Sequence, residues 1–403
     1  MGASQALSLP GRAKCFQTGI LSRAGAYGRV ATGMRGWRAL ASEVMAFASV
    51  RQVKKLRWRL CWLFTAWAHA STMRVHRAGW CPNKEYFLKI CLVGAGALGC
   101  VLGGLLTEAG HEVWLVNRGL AQVNALRAHG LQLRVDGVDR VVPVRATTDY
   151  ADILASSGTM DLVIVLVKSF HTREAIAAAL PVVGEHTAVL SLQNGLGHED
   201  VLAEVVGRHH VLAGKTYVGG VLLAPGHIIA GVAGKETLIG ELDGSLSERV
   251  QRIADVFNAA GLLTHASQNI LGAMWDKLLV NVATGALSAI TRLPYGELYQ
   301  VPAVQACGVA AVAEAMAVAA ASGISLQTTD APQAWAKAAV GMPFEFKASM
   351  LQSLEKGSVT EVDFVNGAVV RQGALCGVPT PVNQALVACL KGIERGLLGA
   401  PRV

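Results

Sequence analysis

Two groups of polar residues interrupt otherwise apolar segments in the last third of this 403-residue chain. In Trp275-Asp276-Lys277-Leu278-Leu279-Val280-Asn281, Lys277 and Asn281 stand four apart, so a helix carries them on one face. The residues between them are aliphatic, and an ammonium inside such a run is costly unless a partner or a substrate compensates it. The second group is Ser349 with Glu361-Val362-Asp363, followed by Asn366-Gly367. These residue types suit reduction of a ketone, which needs a hydride donor, a proton donor at the carbonyl oxygen and an anchor for a carboxylate. A lysine can supply the proton if partial desolvation lowers its affinity for it. A glutamate can orient that lysine and hydrogen-bond the emerging hydroxyl, while Ser and Asn hold the ends of the substrate. Spacing alone reads Lys277 and Glu361 equally well as an ordinary salt bridge between helices.

A hydride donor needs a seat, and the chain offers one after Lys89. Lys89-Ile90-Cys91-Leu92-Val93 reads as a short apolar strand and runs straight into Gly94-Ala95-Gly96-Ala97-Leu98-Gly99. A helix-forming stretch continues to Glu108, and His111–Val116 follows as a second strand. In that context each glycine has a job: Gly94 for the tight turn, Gly96 for close approach of a pyrophosphate, Gly99 for packing the helix on the strand. The free N–H groups and positive end of the helix then hold the diphosphate. The second strand ends in Asn117-Arg118 with no acid, and an arginine there suits the 2′-phosphate of NADPH better than the bare ribose of NADH. The competing reading is a solvent-facing arginine.

Two further strands, 161–167 and 187–192, end in Lys168-Ser169-Phe170 and Gln193-Asn194-Gly195. Ligands of open parallel sheets lie beyond the carboxyl ends of the strands, which puts Lys168 and Asn194 at the right edge. Lys168 could back Arg118 at the phosphate and Asn194 could reach the nicotinamide end. A surface lysine and an ordinary Asn-Gly turn explain the same residues. Segments 211–218 and 236–240 extend the sheet in antiparallel fashion, and a helix over 246–260 closes this half. After about residue 268 strand signals vanish, and helices are expected at 270–284, 303–322, 345–354, 361–375 and 382–395. The Ala- and Val-rich 303–322 is expected to be buried on most sides, and Glu314 in its middle argues against a membrane span. The fold class is therefore α/β followed by all-α: a Rossmann-type dinucleotide-binding domain over 89–266 and a helical substrate domain over 267–398.

Composition narrows the partners. The formal charge is +8, yet residues 1–88 alone carry 14 Lys or Arg against Glu43 and Glu85, which leaves the body at −4. A mildly acidic body has no phosphate-tracking face, so nucleic acid is not an expected partner. Eight cysteines show no CxxC pair and no histidine at zinc spacing, which reads as reduced thiols and no metal site. Residues 1–88 hold five of the eight tryptophans and no sustained period, and are expected to be poorly ordered. Being Arg-rich and acid-poor, they read either as an organelle transit peptide or, the favoured reading, as translation upstream of a true start near Met73. The expected location is accordingly cytoplasmic, or an organelle if the extension is a genuine leader.

From about Lys89 to Gly396 the chain resembles the ketopantoate reductases, with motifs in that family's order. These are Gly94 to Gly99, Arg118, Lys168, Gln193-Asn194-Gly195, Lys277 with Asn281, Ser349-Met350-Leu351-Gln352, Thr360-Glu361-Val362-Asp363, Asn366-Gly367 and Pro379-Thr380-Pro381-Val382-Asn383. The resemblance implies NADPH-dependent reduction of 2-dehydropantoate to pantoate, a step of pantothenate biosynthesis, in a cleft between the two domains. It implies Lys277 as general acid and Glu361 as its partner and contact to the substrate hydroxyl. Asn281 and Ser349 would bind the substrate, Asn194 would lie near the nicotinamide ribose and help place Lys277, and Arg118 and Lys168 would recognise the 2′-phosphate. Where many members carry a second asparagine four residues beyond Asn281, this chain has Gly285, which puts the identity of the keto acid in doubt. The alternatives are a sister reductase of another small 2-keto acid and a non-catalytic NADPH sensor. The expected partners are a small 2-keto acid, with room for a homodimer and no membrane.

Overall fold

The computed structural model describes residues 87–397, so what the sequence suggests for 1–86, including Cys15, Cys61 and Cys81, lies outside the described residues. The chain enters on β1 (Lys89–Val93), passes through the glycine turn into α1 (Ala97–Glu108) and returns as β2 (Glu112–Val116). It continues through α2 (Leu120–His129), β3 (Leu131–Val135), β4 (Val138–Val142), β5 (Arg145–Thr147), α3 (Tyr150–Ser157) and β6 (Met160–Val165). Next come α4 (Thr172–Ala179), β7 (Val183–Ser191), α5 (His198–Val206), β8 (Val211–Thr216), β9 (Gly219–Ala224) and β10 (His227–Gly231). β11 (Thr237–Glu241), α6 (Glu248–Ala259) and β12 (Thr264–Ala266) complete this half.

The main sheet has the order β12-β11-β8-β7-β6-β1-β2-β5. It is parallel from β8 to β5, and β11 joins β8 antiparallel. β8 itself pairs parallel with β7, so the antiparallel extension begins one strand later than the sequence suggested. The chain reverses direction across the sheet at β1, which has β2 on one side and β6 on the other. That switch point opens a crevice at the carboxyl ends of the strands.

A second sheet, β4-β3-β10-β9, was not anticipated. β4 and β9 are largely exposed, so neither carries the continuous apolar run or clean alternation that marks a core strand. Helix α1 lies between the two sheets. A methyl on Gly103 would meet Leu115 of the first, and one on Gly104 would meet Leu131 and Leu133 of the second. The small residues are what let one helix serve two faces.

The helical half comprises α7 (Ile270–Thr291), α8 (Tyr295–Leu298), α9 (Pro302–Ala321), α10 (Ala331–Ala339), α11 (Ser349–Glu355), α12 (Asn366–Cys376) and α13 (Pro381–Leu397). Its core joins Leu279, Val282 and Ala286 of α7 to Val312 and Ala315 of α9, Leu351 of α11, Val369 of α12 and Leu390 of α13. α7 also packs on β8, which ties the halves together. Three expectations change. Glu361 lies outside any α-helix, just ahead of a 3₁₀ turn over Val362–Phe364. α10 is an additional helix. And α9 buries a single stripe, Gly308, Ala311, Val312, Ala315, Val318 and Ala319, rather than most of its surface. Alanine is tolerated on either side of an interface, so its abundance does not report burial on all faces.

By length and composition α7 and α9 could each cross a membrane; 78% of the most apolar window of α7 is buried within the protein, whereas only 33% of that of α9 is. Glu314 in α9 is built into the fold: its carboxylate accepts from the backbone N–H groups of Val382 and Asn383 at 2.8 and 3.0 Å and from Asn383 Nδ2 at 2.7 Å, holding the start of α13. Glu314→Ala strands these donors and should destabilise the protein by about 2 kcal/mol. Equilibrium denaturation checks this; an unchanged midpoint would show that the cap contributes nothing.

Candidate functional site

The glycine turn has the geometry its sequence suggests. The N–H groups of Gly94 and Ala95 both donate to the carbonyl of Val116, at 3.0 and 2.8 Å, which locks the turn across the ends of β1 and β2. Gly94 has φ +113°, a conformation that L side chains rarely adopt. A methyl on Gly99 would sit 2.1 Å from the Gly94 carbonyl oxygen, whereas one on Gly96 would meet nothing within 4 Å. Gly96 is the N-cap of α1 and no side chain caps the helix. Its first N–H groups therefore face open space, the arrangement that receives a diphosphate.

That space is a cleft of about 1200 Å³ lined by the glycine turn, Asn117, Arg118, Lys168, Gln193, Asn194 and Glu361 among others. A dinucleotide fits its composition: bare helix N–H groups at the middle, an arginine after β2 at one end, an amide and a carboxylate elsewhere. Arg118 sits at the end of β2, exposed, and its Nη1 donates to both carboxylate oxygens of Glu174, at 3.3 and 3.2 Å.

Lys277 projects from the second turn of α7, partly buried. Its Nζ donates to Asn194 Oδ1 and to the carbonyl of Thr216, both at 2.7 Å, and stands 5.7 Å from the ring centre of Tyr217. Both hydrogen-bond acceptors are uncharged. Burial, helped by the positive charge of Lys215 on β8, lowers the Lys277 pKa to about 8. Its neighbour Asp276 is spent elsewhere, accepting from the backbone N–H groups of Gln327 and Thr328 at 3.0 and 2.9 Å.

Glu361 has different partners from those expected. Its carboxylate accepts from Lys168 Nζ at 3.0 Å, from the Ser169 N–H at 3.0 Å and from Ser169 Oγ at 2.6 Å. The Lys277–Glu361 pair is not among the ion pairs of the described residues, and Lys168, expected at the 2′-phosphate, is engaged by Glu361. The reason is positional. Thr360 is anchored through its N–H and hydroxyl on buried Glu394, at 2.7 and 2.6 Å, and the 3₁₀ turn after Glu361 is pinned to the loop that carries Asn194. Burial tends to raise the Glu361 pKa, but the Lys168 charge and the Ser169 hydrogen bonds outweigh it and hold the carboxyl below its ordinary value.

The pinning is dense. The Leu196 N–H donates to the Phe364 carbonyl at 2.9 Å, and a methyl on Gly195 would lie 2.4 Å from that same oxygen. The buried His198 ring stacks on Phe364 at 5.1 Å, and burial lowers its pKa to about 4, so it is neutral at physiological pH. Asn281 lies one turn beyond Lys277 and is partly buried; Ser349 opens α11 and is exposed. Among the described residues neither side chain has a hydrogen-bond partner. Gly285, a further turn along α7, is buried, and a methyl there would approach the Met350 Cε at 3.3 Å. The flexible end of Met350 is thus what any side chain at 285 would first have to move.

Ser169, Thr216 and Gln193 join the site without a signal of their own in residue type or spacing. Gln193 Nε2 braces the site by donating to the Val167 carbonyl and to Thr172 Oγ1, both at 2.8 Å. Ser169 was visible as the residue after Lys168, whereas Thr216 acts through its backbone carbonyl, which no side-chain type announces.

Fold and cleft together define a dinucleotide-binding oxidoreductase of two parts. The chain belongs to the ketopantoate reductase PanE/ApbA family, whose model matches residues 90–244 and whose C-terminal model matches 269–394. The 2-dehydropantoate 2-reductase of Archaeoglobus fulgidus is 36% identical over 310 residues, 77% of this chain and 99% of the relative. A PanE/ApbA family ketopantoate reductase from Ralstonia eutropha JMP134 shares 37% identity at a TM-score of 0.69, covering 76% of this chain and 99% of that one. A D-mandelate dehydrogenase in a ternary structure with NADH and anilino(oxo)acetate is 26% identical at a TM-score of 0.69, covering 76% and 99%.

The two glycines of α1's approach should separate folding from binding. Gly96→Ser supplies a good N-cap and points into open cleft, so thermal stability should hold while dinucleotide affinity falls at least about tenfold. Gly99→Ala should instead cost at least about 2 kcal/mol of stability, because its methyl has nowhere to go. Calorimetric titration and denaturation of both variants decide the matter; unchanged dinucleotide affinity in Gly96→Ser would remove Gly96 from the binding surface.

Proposed function

We propose that this protein reduces 2-dehydropantoate to pantoate with NADPH, Lys277 donating the proton. The observation that carries the reading is the setting of Lys277: an ammonium held only by uncharged acceptors, with its pKa lowered to about 8, one hydrogen bond from an amide that lines the dinucleotide cleft. A bound NADPH would supply the hydride for the C2 carbonyl carbon, which leaves negative charge on the carbonyl oxygen. Lys277 gives its proton to that oxygen, leaving a neutral amine that solvent reprotonates. Asn194 orients the lysine and would meet the nicotinamide ribose of a bound dinucleotide. Glu361, kept ionised by Lys168 and Ser169, accepts a hydrogen bond from the substrate hydroxyl. Asn281 and Ser349, with side chains free of protein partners among the described residues, hold the remaining polar groups of the keto acid. Gly94 to Gly99 seat the diphosphate and Arg118 takes the 2′-phosphate.

One observation favours a second reading. With glycine at 285, where an amide would offer the substrate a polar contact, and the buried Met350 as its nearest neighbour, the helix has one polar group fewer for the keto acid, which suits a 2-keto acid with a less polar tail. Turnover of a panel of 2-keto acids separates the two: ketopantoate should give the highest kcat/KM, and a hundredfold preference for another acid would overturn the assignment.

The acid role of Lys277 fixes a pH dependence. Reduction requires the protonated amine, so the rate should be level below the lysine's pKa and fall as pH rises through about 8. Lys277→Ala should lower kcat at least about a hundredfold while NADPH affinity stays within about threefold, since the lysine serves the substrate side. A variant that kept the alkaline limb, or a wild type without one, would remove Lys277 from the proton transfer.

A further inference from the structure

We propose that Glu174 is a specificity-determining residue of the cofactor site, one that narrows the preference for NADPH over NADH. This rests on the reading of Arg118 as the 2′-phosphate residue. From sequence, the chain lacks the acid that NAD-binding sites place after the second strand. In space that acid is restored from another element: Glu174, on the first turn of α4, brings both carboxylate oxygens within 3.3 Å of Arg118 Nη1 and lines the same cleft. His171 Nδ1 stands 3.6 Å from Glu174 Oε2, completing a small cluster at this end. Lys168, the other cation that could serve a 2′-phosphate, is held by Glu361 at 3.0 Å.

The consequences differ for the two dinucleotides. A 2′-phosphate arriving at Arg118 meets a carboxylate already there and must displace it, against like-charge repulsion. A ribose with free hydroxyls meets no repulsion, and its hydroxyl can donate to Glu174 while Arg118 stays paired. The arginine and glutamate side chains are 66% and 68% exposed, so their pairing is weak and displacement is feasible; the site discriminates without excluding either cofactor.

The test uses the full chain and two fragments, adenosine 2′,5′-bisphosphate and 5′-AMP, titrated by calorimetry into wild type, Glu174→Gln and Arg118→Ala. Glu174→Gln should bind the bisphosphate roughly three- to tenfold more tightly and 5′-AMP no better, and its kcat/KM ratio for NADPH over NADH should rise to match. Arg118→Ala should lose bisphosphate affinity by at least about tenfold. If Arg118→Ala weakens the bisphosphate but Glu174→Gln leaves both fragments unchanged, the role of Glu174 is refuted and that of Arg118 stands. If neither variant changes bisphosphate binding, the 2′-phosphate reading of Arg118 falls as well. Glu174 is surface-exposed, so its variant is expected to fold normally, and a thermal melt confirms that before titration.

Discussion

The site depends on Lys277 being held without a counter-charge. Its two acceptors, Asn194 Oδ1 and the Thr216 carbonyl, are both dipoles from the sheet half, whereas the ammonium comes from the helical half. Dipoles satisfy the hydrogen-bonding capacity of an ammonium without offsetting its desolvation as a carboxylate would, so proton affinity falls. Had Glu361 paired with Lys277 directly, its negative charge would have raised the lysine pKa and made it a poorer acid. Lys168 and Ser169 engage that carboxylate instead. Burial and the charge of Lys215 therefore lower the Lys277 pKa with no carboxylate among its hydrogen-bond partners to oppose them. Lys277 is left to neutral acceptors, and Lys168 takes the Glu361 carboxylate.

The seam that enforces this separation is short. Gly195 and Leu196 meet the Phe364 carbonyl, and His198 covers the Phe364 ring. Asn194 and Glu361 flank this contact on the two sides, so displacement of one strains the placement of the other. Behind it, Glu394 fixes Thr360, and Lys391 forms ion pairs with Asp363 and Glu394. The turn that carries Glu361 is thus held from both the cleft side and the helical core. Such redundancy restricts how far the Glu361 carboxylate can move relative to the cleft.

What was legible in the sequence was local. Gly94 to Gly99 between two apolar strands names its own geometry, because turn, helix start and strand packing all arise within a few residues. Lys277 and Asn281 share a face by helical spacing alone. The fold class followed from where strand patterns stopped. Partnerships across long sequence separations were not legible: Glu361 and Lys168 lie 193 residues apart, and nothing in either neighbourhood selects Lys168 over Lys277. Exposed strands such as β4 and β9 lack a hydrophobic signature because they bury little, so the second sheet stayed hidden. The acid beside Arg118 comes from α4 and not from the strand end, where local rules place it.

The division of labour between the halves follows from these distances. The helical half contributes the ammonium and the carboxylate, yet the charge state of each is set by the sheet: Lys277 by burial and the charge of Lys215 on β8, Glu361 by Lys168 and Ser169 beyond β6. Those same strand ends form the cleft that seats the dinucleotide. A displacement of the helices away from the sheet would restore water to Lys277 and remove the cation from Glu361, returning both groups toward ordinary ionisation. The ionisation of both groups is accordingly a property of the contacts between the halves and cannot reside in either half alone.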